Sequence, residues 1–268
     1  MKIGLALSGG AARGMAHVGV LRALVENGIP IDCIAGTSAG SIVGGAYATG
    51  LPMDQIAEFG RKLRWRDIGR VTMSRLGIQS NERLEQYLRA RFPVTNFEDL
   101  AIPFAAVATN LITGEAVVLK DEGDVPFAIR ASCTIPGWYV PVLDQEGRQL
   151  VDGGLVAVVP TSVTRSLGAD VLIAVDVNRE GATFITPSSS VIGVLLQSMM
   201  VVQKTASSRQ LEMADLVISP KVGHIRWDEM GRADELMVAG YEAGLESIPK
   251  IRALIESRSE VPQLLSVS

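Results

Sequence analysis

Short, continuously apolar segments alternate with segments of helical periodicity along most of this chain. The first fifty residues predict strands at 3–7 and 33–36 and helices at 15–27 and 38–48. Continuous apolar runs suit strands that helices cover on both faces, and this alternation is typical of a largely parallel sheet. We therefore expect an α/β protein, built as a three-layer α/β/α sandwich around a mostly parallel central sheet.

The same alternation continues to the C-terminal region. Further strands are predicted at 104–108, 116–119, 150–151, 171–177 and 216–219, and further helices at 53–63, 82–91, 125–131, 162–167, 190–214 and 229–256. No repeat or low-complexity linker divides the sequence, so we expect one domain over residues 1–256 followed by a loose C-terminal tail at 257–268.

Composition excludes several classes of protein. With 268 residues, 47% of them apolar, the chain can bury a sizeable core without disulfides or a structural metal. The net charge is −4 and no run of Lys or Arg exceeds two, so the basic surface of a nucleic-acid-binding protein is missing. Cys33 and Cys133 lie in apolar segments without a neighbouring ligand and are predicted to be reduced core residues. We expect no metal and no cofactor.

Two apolar segments bear on localisation. The run near the N-terminus is too short for a signal-peptide core, and the stretch from Val191 to Val202 is shorter than the ~20 residues that a membrane span needs. These features predict a cytoplasmic protein. The second stretch is apolar nearly all round, which is typical of a core helix, while adsorption to a membrane surface stays open as the alternative. The sequence does not set the oligomeric state.

A glycine-rich loop, SGGAARG at 8–14, joins the first predicted strand to the first helix. Such a loop turns backbone N–H groups toward one concavity, and the helix N-terminus adds positive potential, so an anion is a suitable ligand. A dinucleotide is one alternative, although Ala11 interrupts the GxGxxG pattern and no acidic residue follows the second strand. A turn without a ligand is another.

A second motif, GTSAG, places Ser38 between a predicted strand and a helix, with Gly36 and Gly40 on either side. GxSxG in that setting indicates a nucleophile elbow, a strained turn in which small flanking residues let the strand and helix approach each other. A simple helix N-cap is the alternative role for Ser38.

A serine nucleophile needs a base, and the chain has two histidines. We expect His17 to pack its helix against the sheet. The order Ser38, Asp152, His224 matches an α/β-hydrolase triad. However, α/β-hydrolases usually have several strands ahead of the serine turn, and here only the strand at 3–7 precedes the one that leads into it.

A carboxylate is the other candidate base. Asp152 ends a predicted strand and is followed by Gly153 and Gly154. Considered alone, this Asp-Gly pair indicates a hairpin turn. Beside an elbow serine Asp152 could accept the hydroxyl proton directly, provided that burial raises its pKa. Asp176, which ends another apolar run, is the rival acid.

Taken in order, the three motifs resemble those of the patatin-like phospholipase family, in particular its small bacterial members. The resemblance extends over about residues 3–177. It is carried by the loop residues Gly9, Gly10, Ala11, Ala12, Arg13 and Gly14, by the GxSxG segment at 36–40, and by Asp152, Gly153 and Gly154.

The resemblance implies a patatin-like fold and a Ser38–Asp152 dyad that hydrolyses lipid or other acyl esters through an acyl-enzyme. The N–H groups of Gly10 and Ala11, with Arg13 nearby, would form the oxyanion hole, and Arg13 as a loop clamp paired with a carboxylate is the alternative. The family usually has glycine at the position of Ala11. Because alanine restricts positive φ, we expect a different geometry of the hole. A regulatory relative in which hydrolysis is incidental also remains open.

Overall fold

The computed structural model describes residues 1–179 and 190–264. The strands are β1 Ile3–Leu7, β2 Cys33–Thr37, β3 Arg70–Val71, β4 Gly77–Ser80, β5 Phe104–Asn110, β6 Ala116–Lys120, β7 Gly137–Tyr139, β8 Val142–Leu143, β9 Gln149–Asp152, β10 Val171–Val175 and β11 Leu216–Ile218. The α-helices are α1 Met15–Glu26, α2 Ala39–Ala48, α3 Met53–Lys62, α4 Trp65–Ile68, α5 Glu82–Arg89, α6 Val125–Ser132, α7 Thr161–Ser166, α8 Val191–Leu211 and α9 Ala233–Leu264.

A central sheet of eight strands organises the molecule. Strands β11, β10, β1, β2 and β5 run parallel in that order, and β6, β8 and β9 join antiparallel at the β5 side. Side chains alternate between the two faces of β1: Leu5 and Leu7 pack in the core under α1 and α2, and Ala6 packs in the opposite core with Leu211 of α8. Helices thus cover both faces, which confirms the expected α/β/α architecture.

One edge of β5 is shared by two strands placed end to end. Strand β2 pairs with β5 up to Thr37 opposite Val107, and β9 pairs with the next residues of β5, beginning with Asp152 opposite Ala108. The other edge of β5 is occupied by β6, which pairs with residues of both stretches. Because β2 runs parallel and β9 antiparallel to β5, the C-terminal ends of β2 and β9 meet.

The sequence prediction of the main elements agrees with the structure, but five short elements were missed: β3, β4, β7, β8 and α4. Strands β3, β4 and β7 form a separate three-stranded sheet. Each of the five has only two to four residues, which is too short for a hydrophobic period to be visible.

Helix α8 corrects one prediction. It was expected in the core, yet Val191 and Val202 are 78% and 64% exposed, and only Ser207 and Leu211 of the helix are buried. No helix in the part of the chain that the structure describes has the length and apolarity required to cross a membrane. The cytoplasmic location stays a prediction.

Helix α9 extends beyond the predicted helix end at 256. It continues to Leu264, so helical structure enters the segment that was expected to be a loose tail, and residues 265–268 of that segment lie outside the described residues. The single-domain prediction depends on whether α9 belongs to the same packed unit as the sheet.

The contact between α9 and α1 is close enough to test this. A Cβ placed on Gly240 would lie 1.9 Å from the backbone oxygen of Ala16, so the two helix backbones touch at this point. We predict that Gly240→Ala lowers the free energy of unfolding by roughly 1–3 kcal/mol, because the added methyl group must push the helices apart. Urea denaturation measures this change.

Gly231→Ala is the matched control, since a Cβ at Gly231 meets no atom within 4 Å. It should change stability by less than about 0.5 kcal/mol. Equal stability of the Gly240→Ala protein and the wild type would show that α9 does not pack on α1 in this way.

Candidate active site

Ser38 occupies a sharp turn between the end of β2 and the start of α2. Its backbone has φ 51° and ψ −122°, a region that L-residues rarely adopt and that costs of order 1–3 kcal/mol. The turn is held from outside: the Ser38 N–H donates to Ser132 Oγ at 2.8 Å, and the Ser132 hydroxyl donates to the Val107 carbonyl at 2.6 Å. Ser132 therefore fixes the serine turn to β5.

The small residues of the GxSxG motif allow α2 to start directly against the sheet. A Cβ at Gly40 would lie 2.3 Å from the carbonyl oxygen of Leu7 in β1, and one at Gly36 would lie 2.6 Å from the backbone of Gly40. Larger residues at these positions would displace the helix and the serine with it. The turn is thus strained and closely packed, and its role as a nucleophile elbow stays a prediction.

Asp152 lies at the end of β9, where β9 meets β2. The residue is 4% exposed, and its Oδ1 accepts the Gly154 N–H at 2.8 Å. Burial raises the pKa of Asp152 to about 6, while hydrogen bonding from the Ser38 hydroxyl and from the Gly154 N–H opposes this rise by stabilising the carboxylate. The predicted nucleophile and the predicted base are thus neighbours.

Glycine also lets the Asp152 segment approach β5. A Cβ at Gly153 would lie 2.1 Å from the carbonyl oxygen of Val107, and one at Gly154 would lie 3.0 Å from Asp152 Oδ1. The two glycines that follow the aspartate therefore have a steric reason in this fold.

The glycine-rich loop presents two unoccupied N–H groups. Gly9 donates to Val158 and Ala12 to Trp227, but in the described residues the N–H groups of Gly10 and Ala11 have no acceptor. Both residues line the same cavity as Ser38 and Asp152. The loop packs closely behind them, since a Cβ at Gly14 would lie 2.3 Å from Cβ of Ala39.

Ala11 occupies the position at which a different geometry of the hole was expected. Its φ is 48°, so alanine takes the left-handed conformation that glycine would adopt more easily. The alanine therefore adds strain to the loop, and it still lines the cavity.

Arg13 lies elsewhere than predicted. Its side chain is buried and Nε donates to the Ile225 carbonyl at 2.7 Å, and Arg13 is not among the residues that line the cavity. Burial lowers the pKa of its guanidinium, and the charge of Glu229 opposes that shift. Arg13 thus clamps the loop before α9, with a carbonyl rather than the expected carboxylate as its partner.

The structure does not bring a histidine to Ser38. His17 is fully buried, as expected, with Nε2 hydrogen-bonded to the Ser8 carbonyl at 2.8 Å, and burial lowers its pKa to about 4. The exposed His224 contacts Glu235 Oε1 at 2.8 Å. Neither histidine lines the cavity, so the triad alternative with His224 is not assembled.

Asp176, the rival acid, is also absent from the cavity lining. Its carboxyl is buried at the end of β10, where Oδ1 accepts the N–H of Asn178 at 2.9 Å. Burial raises its pKa, and the Asn178 N–H and the charge of Arg179 partly oppose this rise. Asp152 is the acid that the fold places beside Ser38.

Several cavity residues were not predicted from the sequence. Asn178 donates from Nδ2 to the Gly9 carbonyl at 2.7 Å and so supports the glycine-rich loop. Its position just after β10, at the C-terminal edge of the parallel sheet, is a signal that could have found it. The remaining wall comes from Ile135, Val158, Trp227 and the inner side of α8, with Leu196, Met199, Met200, Gln203, Lys204 and Ser207.

Comparison with known proteins gives consistent matches. Residues 5–165 match the family model described as patatin-like phospholipase. Lysophospholipase NTE1 of Mycosarcoma maydis is 40% identical over 66% of this chain and 10% of that protein. Patatin-like phospholipase domain-containing protein 7 of Mus musculus is 32% identical over 90% of this chain and 20% of that protein.

An uncharacterized NTE family protein of Mycobacterium tuberculosis is 39% identical over 68% of this chain and 50% of that protein. This chain therefore spans between a tenth and a half of the length of these relatives. Among solved structures, VipD from Legionella pneumophila is similar in fold, with a TM-score of 0.57 at 14% identity over 93% of this chain and 67% of that chain.

The family model covers the serine turn, the glycine-rich loop and Asp152, and it matches more than half of the chain. The chain belongs to the patatin-like phospholipase family.

Proposed function

We propose that this protein is a serine hydrolase of lipid acyl esters in which Ser38 is the nucleophile and Asp152 its base. The observation that carries this proposal is the adjacency of the Ser38 hydroxyl and the buried Asp152 carboxyl in one cavity. Membership of a phospholipase family and the lysophospholipase name of one relative support a lipid ester as the substrate. The largely apolar cavity wall suits an acyl chain.

In the first step, Ser38 Oγ attacks the ester carbonyl carbon and its proton passes to Asp152. A carboxylate of pKa about 6 is a stronger base than an exposed aspartate, so burial makes this direct transfer feasible at neutral pH. The proton then goes to the leaving alcohol as the ester bond breaks, and an acyl-enzyme remains.

The tetrahedral intermediate places negative charge on the former carbonyl oxygen. The unoccupied N–H groups of Gly10 and Ala11 would bind this oxyanion, and the N-terminus of α2 adds positive potential near Ser38. We assign Arg13 no direct part, because it does not line the cavity that holds Ser38. Water activated by Asp152 then releases the fatty acid and restores Ser38.

We predict that Ser38→Ala abolishes hydrolysis of short-chain nitrophenyl esters and labelling by a fluorophosphonate probe, because both reactions need the Ser38 oxygen. Ser198→Ala, which removes an exposed hydroxyl from α8, is the control and should leave both signals unchanged. Persistent labelling of the Ser38→Ala protein would show that another residue is the nucleophile.

We predict that Asp152→Asn lowers kcat/KM by roughly 10²- to 10⁴-fold, since the general base is lost. In the wild type, kcat/KM should rise with pH through about 6 as Asp152 ionises, and then level off. His224→Ala should keep the wild-type rate and pH profile. The opposite pattern, an inactive His224→Ala and an active Asp152→Asn, would establish a triad.

The Asp152→Asn protein should be more stable than the wild type at alkaline pH. Because the folded-state pKa of Asp152 is about 6 against 3.8 for an ordinary aspartate, this group favours folding below pH 4 and loses that contribution as pH rises through 6. Urea denaturation of Asp152→Asn should therefore show a gain of up to about 3 kcal/mol at pH 8 and a smaller gain at pH 5.

We predict that Ala11→Gly changes kcat less than about threefold, because Ala11 already lines the cavity with the positive φ that glycine would adopt. Loss of an oxyanion donor would lower kcat by about 10²- to 10³-fold, so a kcat measurement distinguishes an intact donor at position 11 from a lost one. A large rise in turnover with glycine would mean that Ala11 distorts the hole in the wild type.

A further inference from the structure

Helix α8 carries an exposed apolar stripe, which we call the outer face. Its members are Val191, Val194, Leu195, Val201 and Val202, with exposed fractions of 78%, 52%, 62%, 54% and 64%. At 3.6 residues per turn these five positions fall within an arc of roughly 120° around the helix axis, so they lie on one side of the helix. Contiguous apolar surface of this kind marks an interaction site on soluble proteins.

The opposite side of α8 forms part of the active-site wall. Leu196, Met199, Met200, Gln203 and Ser207 line the Ser38 cavity, and they alternate along the helix with the members of the outer face. Apolar residues thus occur on both sides of the helix: those on the inner side line the cavity, and those of the outer face are exposed. A partner on the outer face would thus be separated from Ser38 by a single helix.

The charges of α8 narrow the choice of partner. Between Val191 and Leu211 the helix has no acidic residue, and its charged residues are Lys204 and Arg209. Lys204 is exposed and also lines the cavity, so a cation lies where the inner and outer sides of α8 meet. An apolar stripe with basic residues beside it suits the interface of a phospholipid bilayer, where acyl chains lie beneath phosphate groups.

We propose that the outer face of α8 docks on a phospholipid bilayer, so that the substrate passes around α8 into the Ser38 cavity without crossing bulk water. This inference rests on the proposed function, since it assumes that the cavity receives a lipid ester. Helix α8 lies beyond residues 5–165, the segment that the family model matches, so its role follows from its own contacts.

The test compares two triple variants with the wild type. The outer-face variant is Val191→Thr, Leu195→Gln and Val202→Thr. The matched control is Val25→Thr, Leu245→Gln and Val238→Thr, which alters exposed apolar residues of α1 and α9 that do not line the cavity. Flotation with phosphatidylcholine vesicles measures binding, with Ser38→Ala added to every protein so that no lipid is consumed.

The outer-face variant should bind vesicles at least about tenfold more weakly than the wild type, because burial of three apolar side chains is lost. With Ser38 restored, its hydrolysis of vesicle phosphatidylcholine should fall by a similar factor, while kcat/KM for soluble nitrophenyl butyrate stays unchanged. The control variant should match the wild type in all three measurements.

Vesicle binding by the outer-face variant at the wild-type level would overturn the proposal. The proposal would also fail if neither protein bound vesicles and light scattering found a wild-type dimer that the outer-face variant does not form. The outer face would then join two copies of the chain. Absence of nitrophenyl butyrate hydrolysis in the wild type would overturn the proposed function, and the flotation result would still decide the docking.

Discussion

Two strands share one edge of β5, and the rest of the site depends on that arrangement. Strand β2 ends opposite Val107 and β9 ends opposite Ala108, so two chain segments run toward each other and stop at adjacent positions. The residue that follows β2 is Ser38, and the last residue of β9 is Asp152. The Ser38 hydroxyl therefore hydrogen-bonds to the Asp152 carboxyl, which is the contact that the proposed proton transfer requires.

Local features of the site could be predicted because they depend on short-range sterics. Gly36 and Gly40 mark a strand-to-helix turn whose backbones nearly touch, and such a turn leaves a readable pattern in the sequence. The pairing of β9 with β5 could not be predicted, because it joins residues forty or more positions apart and has no local signal. The residues alone therefore made Asp152 one of several candidate bases, and the family resemblance favoured it over Asp176 and His224.

Helix α8 shows why hydrophobicity alone misled the prediction. A helix that is apolar all round is typical of a core, but here one side covers the Ser38 cavity and the other is exposed. Composition cannot distinguish a helix packed on all sides from one that lines a cavity. Arg13 is a similar case, because a buried arginine bound to the Ile225 carbonyl has the same sequence signature as one at an anion site.

The Ser132 hydroxyl has a consequence for how this site can discriminate among substrates. It accepts the N–H of Ser38 and donates to Val107, so the strained serine turn is already tied to the sheet before any ligand arrives. A site assembled in advance gains little from induced fit, because substrate binding has no backbone rearrangement to drive. In the proposed hydrolase, selection among esters would then depend on the residues that line the cavity around Ser38.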